Sequence, residues 1–524
     1  MPTTDYDFAA ESDRLDFPDV TAGGVTLNRA TARPEPERSI PPEFERTREA
    51  HRAGIVRTTL AADGPVIELD RPISGSFVAS RRGTYLDLYL GVAQRLFDAT
   101  RLLPQLAPII HSDLLLRREI NTDDYLSLAP DGIRLPQDLA RVVVDEADRA
   151  LPRPGGHRVF FSNSGTEAVE AALKTAVLAG YRRLLERFGP ETWTAVCREL
   201  GIEREPFFGD DGPVWKDYPL FVIALERAFH GRTLGSLSLT MSRPKQRQGF
   251  PQLCWVRHVD PEVPDRTPEL IDPTPLPEVL DEPGRLAQVV TAGKIPCDLL
   301  AGAIYEPFQG EGGYRFPNPG VIEDLGNACD RFGGLLIADE VQTFARTGST
   351  FLSTTQPVRP DIICLAKSAV LGITIVPADI TSDFPSGWHS NTFGSGKLFD
   401  VNYSFAVWDT WLDGREPAFR GLSFADNETL KGSYLGEKLD GLAARHPETV
   451  SDPEGQGCMW GFTTADRDAF VSEAWRQGAK LLGAGLASKP GRVRLLFPAD
   501  VLTREIDLSL EVLERTATAL EEGR

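Results

Sequence analysis

Lysine is scarce in this chain. Of 56 basic side chains only ten are lysine and the rest are arginine, so any chemistry that requires a primary amine has few places to sit. Cysteine is thin as well: six residues, scattered, with no Cys-x-x-Cys pair and no histidine cluster beside them. That spacing supports neither a disulfide framework nor a zinc site, and no metal centre is expected. Positive charge is in deficit, since 76 acidic residues against 56 basic ones give a formal net charge of −20. A nucleic-acid groove or an anionic membrane surface would need a basic patch, so neither is expected as a partner. No apolar run reaches the roughly 18 residues of a membrane-spanning helix. The opening MPTTDYDFAAESDRLDF lacks the basic segment followed by an apolar one that marks a secretory signal. A cytoplasmic enzyme is the expectation that remains.

What is present is enough for two domains around a large core: 524 residues, 41% apolar and 25% charged. Residues 1–64 are rich in Pro, Glu, Arg and Thr and read as an extended N-terminal arm. Residues 65–130 carry strand-like runs such as TYLDLYLGVAQ and read as the first part of a small domain. From 131 to 400 strands alternate with helices. The helical pattern 137–150 stops at Pro152–Gly156, Val159–Phe161 is a strand, and AVEAALKTAVLAGYRRLL is a helix. Further strands follow at Leu220–Leu225, Leu299–Tyr305 and Leu335–Ala338, with an amphipathic helix Val321–Phe332 before the last of these. Alternation of this kind predicts an α/β fold, a large domain with a mainly parallel, doubly wound sheet. Residues 182–218 exceed an ordinary crossover and read as an insertion. Residues 401–524, helical to Leu442 and mixed thereafter, read as the rest of a smaller α+β domain.

The chemistry concentrates between Leu335 and Gly372. An apolar strand, LLIA, runs into Asp339, and a second, IICLA, runs into Lys367, 28 residues later. Apolar runs that end on a charge suggest strands covered on both faces, with the charged tips at the carboxyl edge, where open α/β sheets bind ligands. A lysine for a Schiff base and a carboxylate for the ring nitrogen are what pyridoxal 5'-phosphate (PLP) needs. Lys367 alone among the lysines ends a buried apolar run. Lys216, Lys245 and Lys397 sit in polar or Gly/Ser/Pro-rich surroundings, Lys294 and Lys489 flank turns, and Lys174 lies on a helix. Lys431, Lys438 and Lys480 fall in charged stretches that read as solvated helical faces.

Two other motifs each admit two readings. Ser162–Glu167 (SNSGTE) joins a strand to a helix start, where backbone N–H groups suit a phosphate. Ser164 and Glu167 are equally a capping box. In AFHGRTLG, Phe229 could stack on a flat ring and Arg232 could clamp a carboxylate. A turn with a solvated arginine is the plainer alternative.

Taken together, SNSGTEAVEAALKTA, AFHGRTLGSLSLT, YEPFQGEGG, LLIADEVQTFARTG and the lysine after CLA resemble the class III, or ω-type, aminotransferases of PLP fold type I. Within that family NTFGSG, the phrase TTADRD after GCMWGF, and RVRLLFPADVLTREID resemble the lysine 6-aminotransferases. The resemblance implies that Ser164, Gly165 and Thr166 bind the phosphate, that Phe229 stacks on the ring, and that Asp339 pairs with its nitrogen. It implies that Gln342 touches the ring hydroxyl, that Lys367 forms the Schiff base, and that Thr392 reaches the phosphate of the neighbouring subunit in a homodimer. His230 and Glu306 belong to the same cofactor set. Arg232 resembles a substrate-carboxylate clamp, and Glu311 with Arg494 resembles a gate that admits an amine-bearing donor and then a dicarboxylate, 2-oxoglutarate. The sequence departs from the family where Ser368-Ala369-Val370-Leu371 follows the lysine and where Phe344-Ala345 replaces Gly-Phe-Gly. These departures, the arm and the insertion keep a second expectation open: elimination, replacement or carbon–carbon bond formation in secondary metabolism, on a substrate of the S-adenosylmethionine type.

Overall fold

The computed structural model describes residues 83–112, 129–205, 214–382, 396–416 and 421–523, the short strands 20–22, 25–27 and 77–80, and positions 384, 385 and 387–391. The arm expected over 1–64 lies outside these residues except for two three-residue strands.

Seven strands form the central sheet: β1 (His157–Ser162), β2 (Phe221–Leu225), β3 (Val256–Val259), β4 (Leu300–Tyr305), β5 (Leu335–Asp339), β6 (Ile362–Leu365) and β7 (Gly372–Pro377). Their spatial order is β1-β7-β6-β5-β4-β2-β3. All neighbours run parallel except β7, which is antiparallel to both β6 and β1. Every residue of β2, β4, β5 and β6 is buried, which is why these strands read as continuous apolar runs rather than alternating ones. Register aligns the strand tips. Asp339 pairs with Cys364 across β5 and β6, and Tyr305 pairs with Ala338 across β4 and β5. Asp339, Glu306 and Lys367 thereby leave the sheet at one edge. At the other side of that edge Gly372 pairs with Ser162, and a Cβ there would collide with the Ser162 hydroxyl and the Ser164 carbonyl. Glycine lets β7 lie close to the loop that opens the next helix.

That loop leads from β1 into a 35-residue helix, Gly165–Glu199. With Pro136–Ala150 as α1, this helix is α2. At Gly189 (φ 81, ψ 167), just before Pro190, the backbone leaves the helical region, so α2 is two helical segments joined across a kink. The stretch read as an insertion from Arg182 therefore begins as helix, and its Trp193, Val196 and Cys197 are buried in the same core as β2. Tyr181 meets Trp193 edge-to-face at 4.8 Å between ring centres, and Tyr218 lies tilted against it at 5.4 Å. Helix α3 (Pro319–Phe332) starts on an Asn318 cap that accepts from Gly320 N, and ends at Gly333 in the left-handed region.

The helical run read from Val401 is two helices. The boundary expected at residue 400 falls within α4 (Leu398–Asp413), whose Val401, Phe405, Trp408 and Trp411 pack with Leu365 and Ile373 of the large sheet. Helix α5 (Phe424–Arg445) instead covers a four-stranded antiparallel sheet, β8 (Ser451–Gln456), β9 (Met459–Thr464), β10 (Leu482–Ser488) and β11 (Gly491–Leu496), in the order β8-β9-β11-β10. Helices α6 (Arg467–Arg476) and α7 (Thr503–Glu522) complete this layer. Strand Gly83–Asp87 pairs with Phe77–Ser80 and with Ala479–Lys480, which ties the early residues to the small domain. Two lysine readings change here. Lys431 is 1% exposed rather than solvated, and Lys480 lies on a strand rather than a helix. Among the described residues no helix is long and apolar enough to cross a membrane.

Candidate active site

A cavity of about 760 Å³ opens at the carboxyl edge, lined among others by Ser164, Gly165, Thr166, Phe229, His230, Arg232, Glu306, Asp339, Gln342 and Lys367. Lys367 enters it from a single turn of 3₁₀ helix, Lys367–Ala369, with a backbone φ of 49. That left-handed conformation costs an ordinary residue about 1–3 kcal/mol, and the surrounding packing must sustain it. Removal from water, reinforced by the charge of Arg494, lowers the Lys367 pKa from 10.5 to about 8.

Asp339 is 5% exposed and doubly held. Its Oδ1 accepts from Val341 N at 3.1 Å, and its Oδ2 lies 2.8 Å from His230 Nδ1. A carboxylate can only accept, so Nδ1 is the donor. Glu306 fastens the neighbouring loop, accepting from Phe229 N at 2.9 Å and Gly310 N at 3.1 Å. Burial pushes its pKa up to about 7 although His230 favours the charged form. Gln342 is buried, with Tyr314 Oη at 3.5 Å from its Oε1. The guanidinium of Arg232 is exposed and lies 5.8 Å from the centre of the Phe229 ring.

The start of α2 bears on the capping-box reading of SNSGTE. Ser164 occupies the N-cap in an extended conformation but makes no side-chain cap. Glu167 accepts instead from Asn163 N at 2.6 Å. The capping box is not formed, and the first N–H groups of α2 receive no side-chain cap from Ser164. The Thr166 hydroxyl is held by Ser236 Oγ at 2.7 Å and Thr233 Oγ1 at 3.1 Å. A Cβ on Gly165 would stand 2.9 Å from Val341 Cγ1, so only glycine lets the helix start lie this close to the tip of β5.

Glu311 and Arg494 are also brought together, beside the cavity rather than in its lining. Arg494 Nη2 donates to Glu311 Oε1 at 2.8 Å, and Nη1 donates to the Gly310 carbonyl at 3.1 Å. Arg494 is 1% exposed. Burial opposes its charge, yet Glu311, Tyr314 and Tyr89 together outweigh burial and raise its pKa, while burial of Glu311 is outweighed by Arg494, Arg243 and Lys367 together, which lower that of Glu311. Thr392 lies outside the described residues. The cavity has walls that the motifs did not announce: Gln94, Arg95, Val370 and Tyr403. Tyr403 comes from α4, and no local pattern marks it; Val370 follows the lysine and is flagged only by its departure from the expected glycines.

An amine on a strained turn, a buried acid, an aromatic face and an uncapped helix start share one cavity, and these residues fit a phosphorylated pyridine aldehyde. A family model described as aminotransferase class III matches residues 135–517. Among solved structures, lysine aminotransferase from M. tuberculosis in its internal aldimine form is 25% identical over 91% of this chain and 99% of its own, with a TM-score of 0.65. The ornithine aminotransferase of Toxoplasma gondii (19% identity, 93% and 97% coverage, TM-score 0.65) and an S-selective transaminase from Arthrobacter sp. (18%, 92% and 100%, TM-score 0.67) share the fold. The chain belongs to the class III aminotransferases, PLP-dependent enzymes that carry an amino group from a small-molecule donor to a keto acid.

Proposed function

We propose that this enzyme takes the amino group of a lysine- or ornithine-like amino acid or ω-amine and delivers it to 2-oxoglutarate. The observation that carries the reading is the Glu311–Arg494 pair, joined at 2.8 Å beside the cavity. A buried arginine covered by an acid suits a pocket that must take two kinds of tail in turn. Glu311 compensates Arg494 while the donor's amine-bearing tail is bound, and yields when a second carboxylate arrives. Without such a cover the arginine would be a buried, unpaired charge during the donor half of the cycle, which is costly.

In this reading the start of α2 holds the phosphate through the N–H groups of Gly165 and Thr166, with Ser164 beside them. Phe229 covers one face of the ring, Asp339 meets its nitrogen with His230 fixing the carboxylate, and Gln342 touches its hydroxyl. Glu306 holds the loop that carries Phe229. The bound cofactor supplies an electron sink for the charge left on the donor carbon when its proton departs. Lys367 would be the group that takes that proton and carries it, its amine kept basic yet readily neutral by burial and Arg494, which lower its pKa to about 8. Arg232 holds a substrate carboxylate, and Thr392 of a second copy completes the phosphate site in a homodimer.

The test is a single turnover of the purified holoenzyme with L-lysine, and separately L-ornithine, in the absence of acceptor. Stoichiometric conversion of the cofactor to its amino form, reversed by 2-oxoglutarate, is the expected result. Consumption of S-adenosylmethionine without any keto acid, with neither diamine reacting, would overturn the reading in favour of elimination or carbon–carbon chemistry.

A further inference from the structure

We infer that Arg243 is a second seat for Glu311: when a dicarboxylate reaches Arg494, the Glu311 carboxylate turns from Arg494 to Arg243. The inference deepens the proposed function and rests on it.

Three charged side chains from three segments meet at this point. Glu311 stands in the loop after β4, Arg494 on β11, and Arg243 just after the short helix Leu234–Leu239. One Glu311 oxygen, Oε1, accepts from Arg494 Nη2 at 2.8 Å, while the other, Oε2, lies 3.7 Å from Arg243 Nη2. The first contact is a hydrogen bond and the second is too long to be one. A carboxylate displacement of about 1 Å toward Arg243 would reverse the two, given ordinary N–H···O lengths. The backbone need not follow. Gly485 N donates to the Glu311 carbonyl at 3.0 Å, which anchors the main chain on β10 and confines the motion to the side chain.

Arg243 is equipped to receive it. Its Nη2 reaches the Gly483 carbonyl at 3.4 Å, and its Nε is buried without an acceptor. Burial lowers its pKa, and Glu311 is the foremost group that supports its charge, against the repulsion of Arg467 and Arg494. Two cations thus share one anion. A distal carboxylate entering on Arg494 supplies the second anion, and with both acids on one arginine, like charges would face each other. Moving Glu311 to Arg243 gives two complementary pairs and leaves no buried charge uncompensated. Arg243 is therefore a positioning residue that acts through Glu311 on acceptor choice.

The test compares acceptors. Arg243→Met should raise KM for 2-oxoglutarate by about tenfold or more while KM and kcat for pyruvate, which has no second carboxylate, stay within about twofold. Arg243→Lys should restore most of the loss. Equal damage to both acceptors, or none to either, would overturn the inference. Should Arg243→Met fail to fold, a crystal structure of the wild-type holoenzyme with glutarate decides. Glu311 hydrogen-bonded to Arg243 supports the seat, and Glu311 still on Arg494, or turned elsewhere, refutes it. A wild-type enzyme with no preference for 2-oxoglutarate over pyruvate would remove the underlying gate as well. A preserved preference that Arg243→Met leaves untouched removes only the seat.

Discussion

Lys367 works from a position where burial and a neighbouring arginine act in the same direction on its amine. Both disfavour the protonated form and bring its pKa from 10.5 to about 8. Only the neutral amine attacks an aldehyde. The rate at which apoenzyme recombines with PLP should therefore climb as pH rises to about 8 and level off above it, instead of climbing on toward 10.5. Arg494→Met removes the cation that helps to deprotonate Lys367 and should move the midpoint upward. Stopped-flow absorbance over a pH series reads both, and a wild-type profile still rising steeply above pH 9 would contradict the assignment. The place of Lys367 at the cavity was legible in the sequence because lysines are few and this one ends an apolar run. Lys431 was not, since a lysine buried on the helix α5 has polar neighbours in sequence and leaves no pattern. Val370 illustrates a different blindness. It lies at φ 70 and ψ −57, and Leu371 N donates to the Ala369 carbonyl at 2.9 Å around it. This is a γ-turn of the rarer, strained hand, held by a β-branched side chain that composition alone would place in a strand.

At the scale of elements the strands were the most readable part, and one helix the least. Strands β2, β4, β5 and β6 are buried along their full length, so their apolar runs could mean little else once bounded by turns. Helix α2 was the least readable, because the stretch from Arg182 looked like an insertion, whereas the chain stays helical to a kink at Gly189 and Pro190 and resumes as a second helical segment. What holds the second segment against the domain is tertiary packing: Trp193 is 1% exposed, against Tyr181, Trp215 and Tyr218. If this second half belongs to the core, Trp193→Ala should cost about 3–5 kcal/mol, the range for emptying a fully buried aromatic site. Urea unfolding followed by circular dichroism measures it. A loss of under about 1 kcal/mol, the level of a surface substitution, would return the segment to the status of an appended insertion. The start of the same helix was readable as a phosphate site or a cap, and its own residues favoured the cap. Only coordinates could show that Glu167 turns to Asn163 N and leaves the first N–H groups uncapped.

At the scale of the molecule, function depends on which segments meet, and sequence order conceals this. Arg494 on the small sheet reaches Glu311 in a loop of the large one, 183 residues away. Motif matching could pair them only by resemblance, and nothing in either motif points to Arg243. The same difficulty extends to the assembly. The proposed role of Thr392 requires that it serve the phosphate site of a second copy, whereas Lys367 serves its own, and this difference in allegiance can be tested by mixing. Lys367→Ala alone should be inactive, and Thr392→Ala alone should bind PLP weakly. In a dimer containing one of each, the subunit with intact Lys367 receives an intact Thr392 from its partner, which rebuilds one complete site. Co-expression with two affinity tags isolates such mixed dimers. Their activity at limiting PLP should then exceed that of either parent and saturate at wild-type cofactor concentrations. If Thr392 instead serves its own chain, the intact Lys367 and the intact Thr392 always fall in different sites, and the mixed dimer gains nothing over the Thr392→Ala parent.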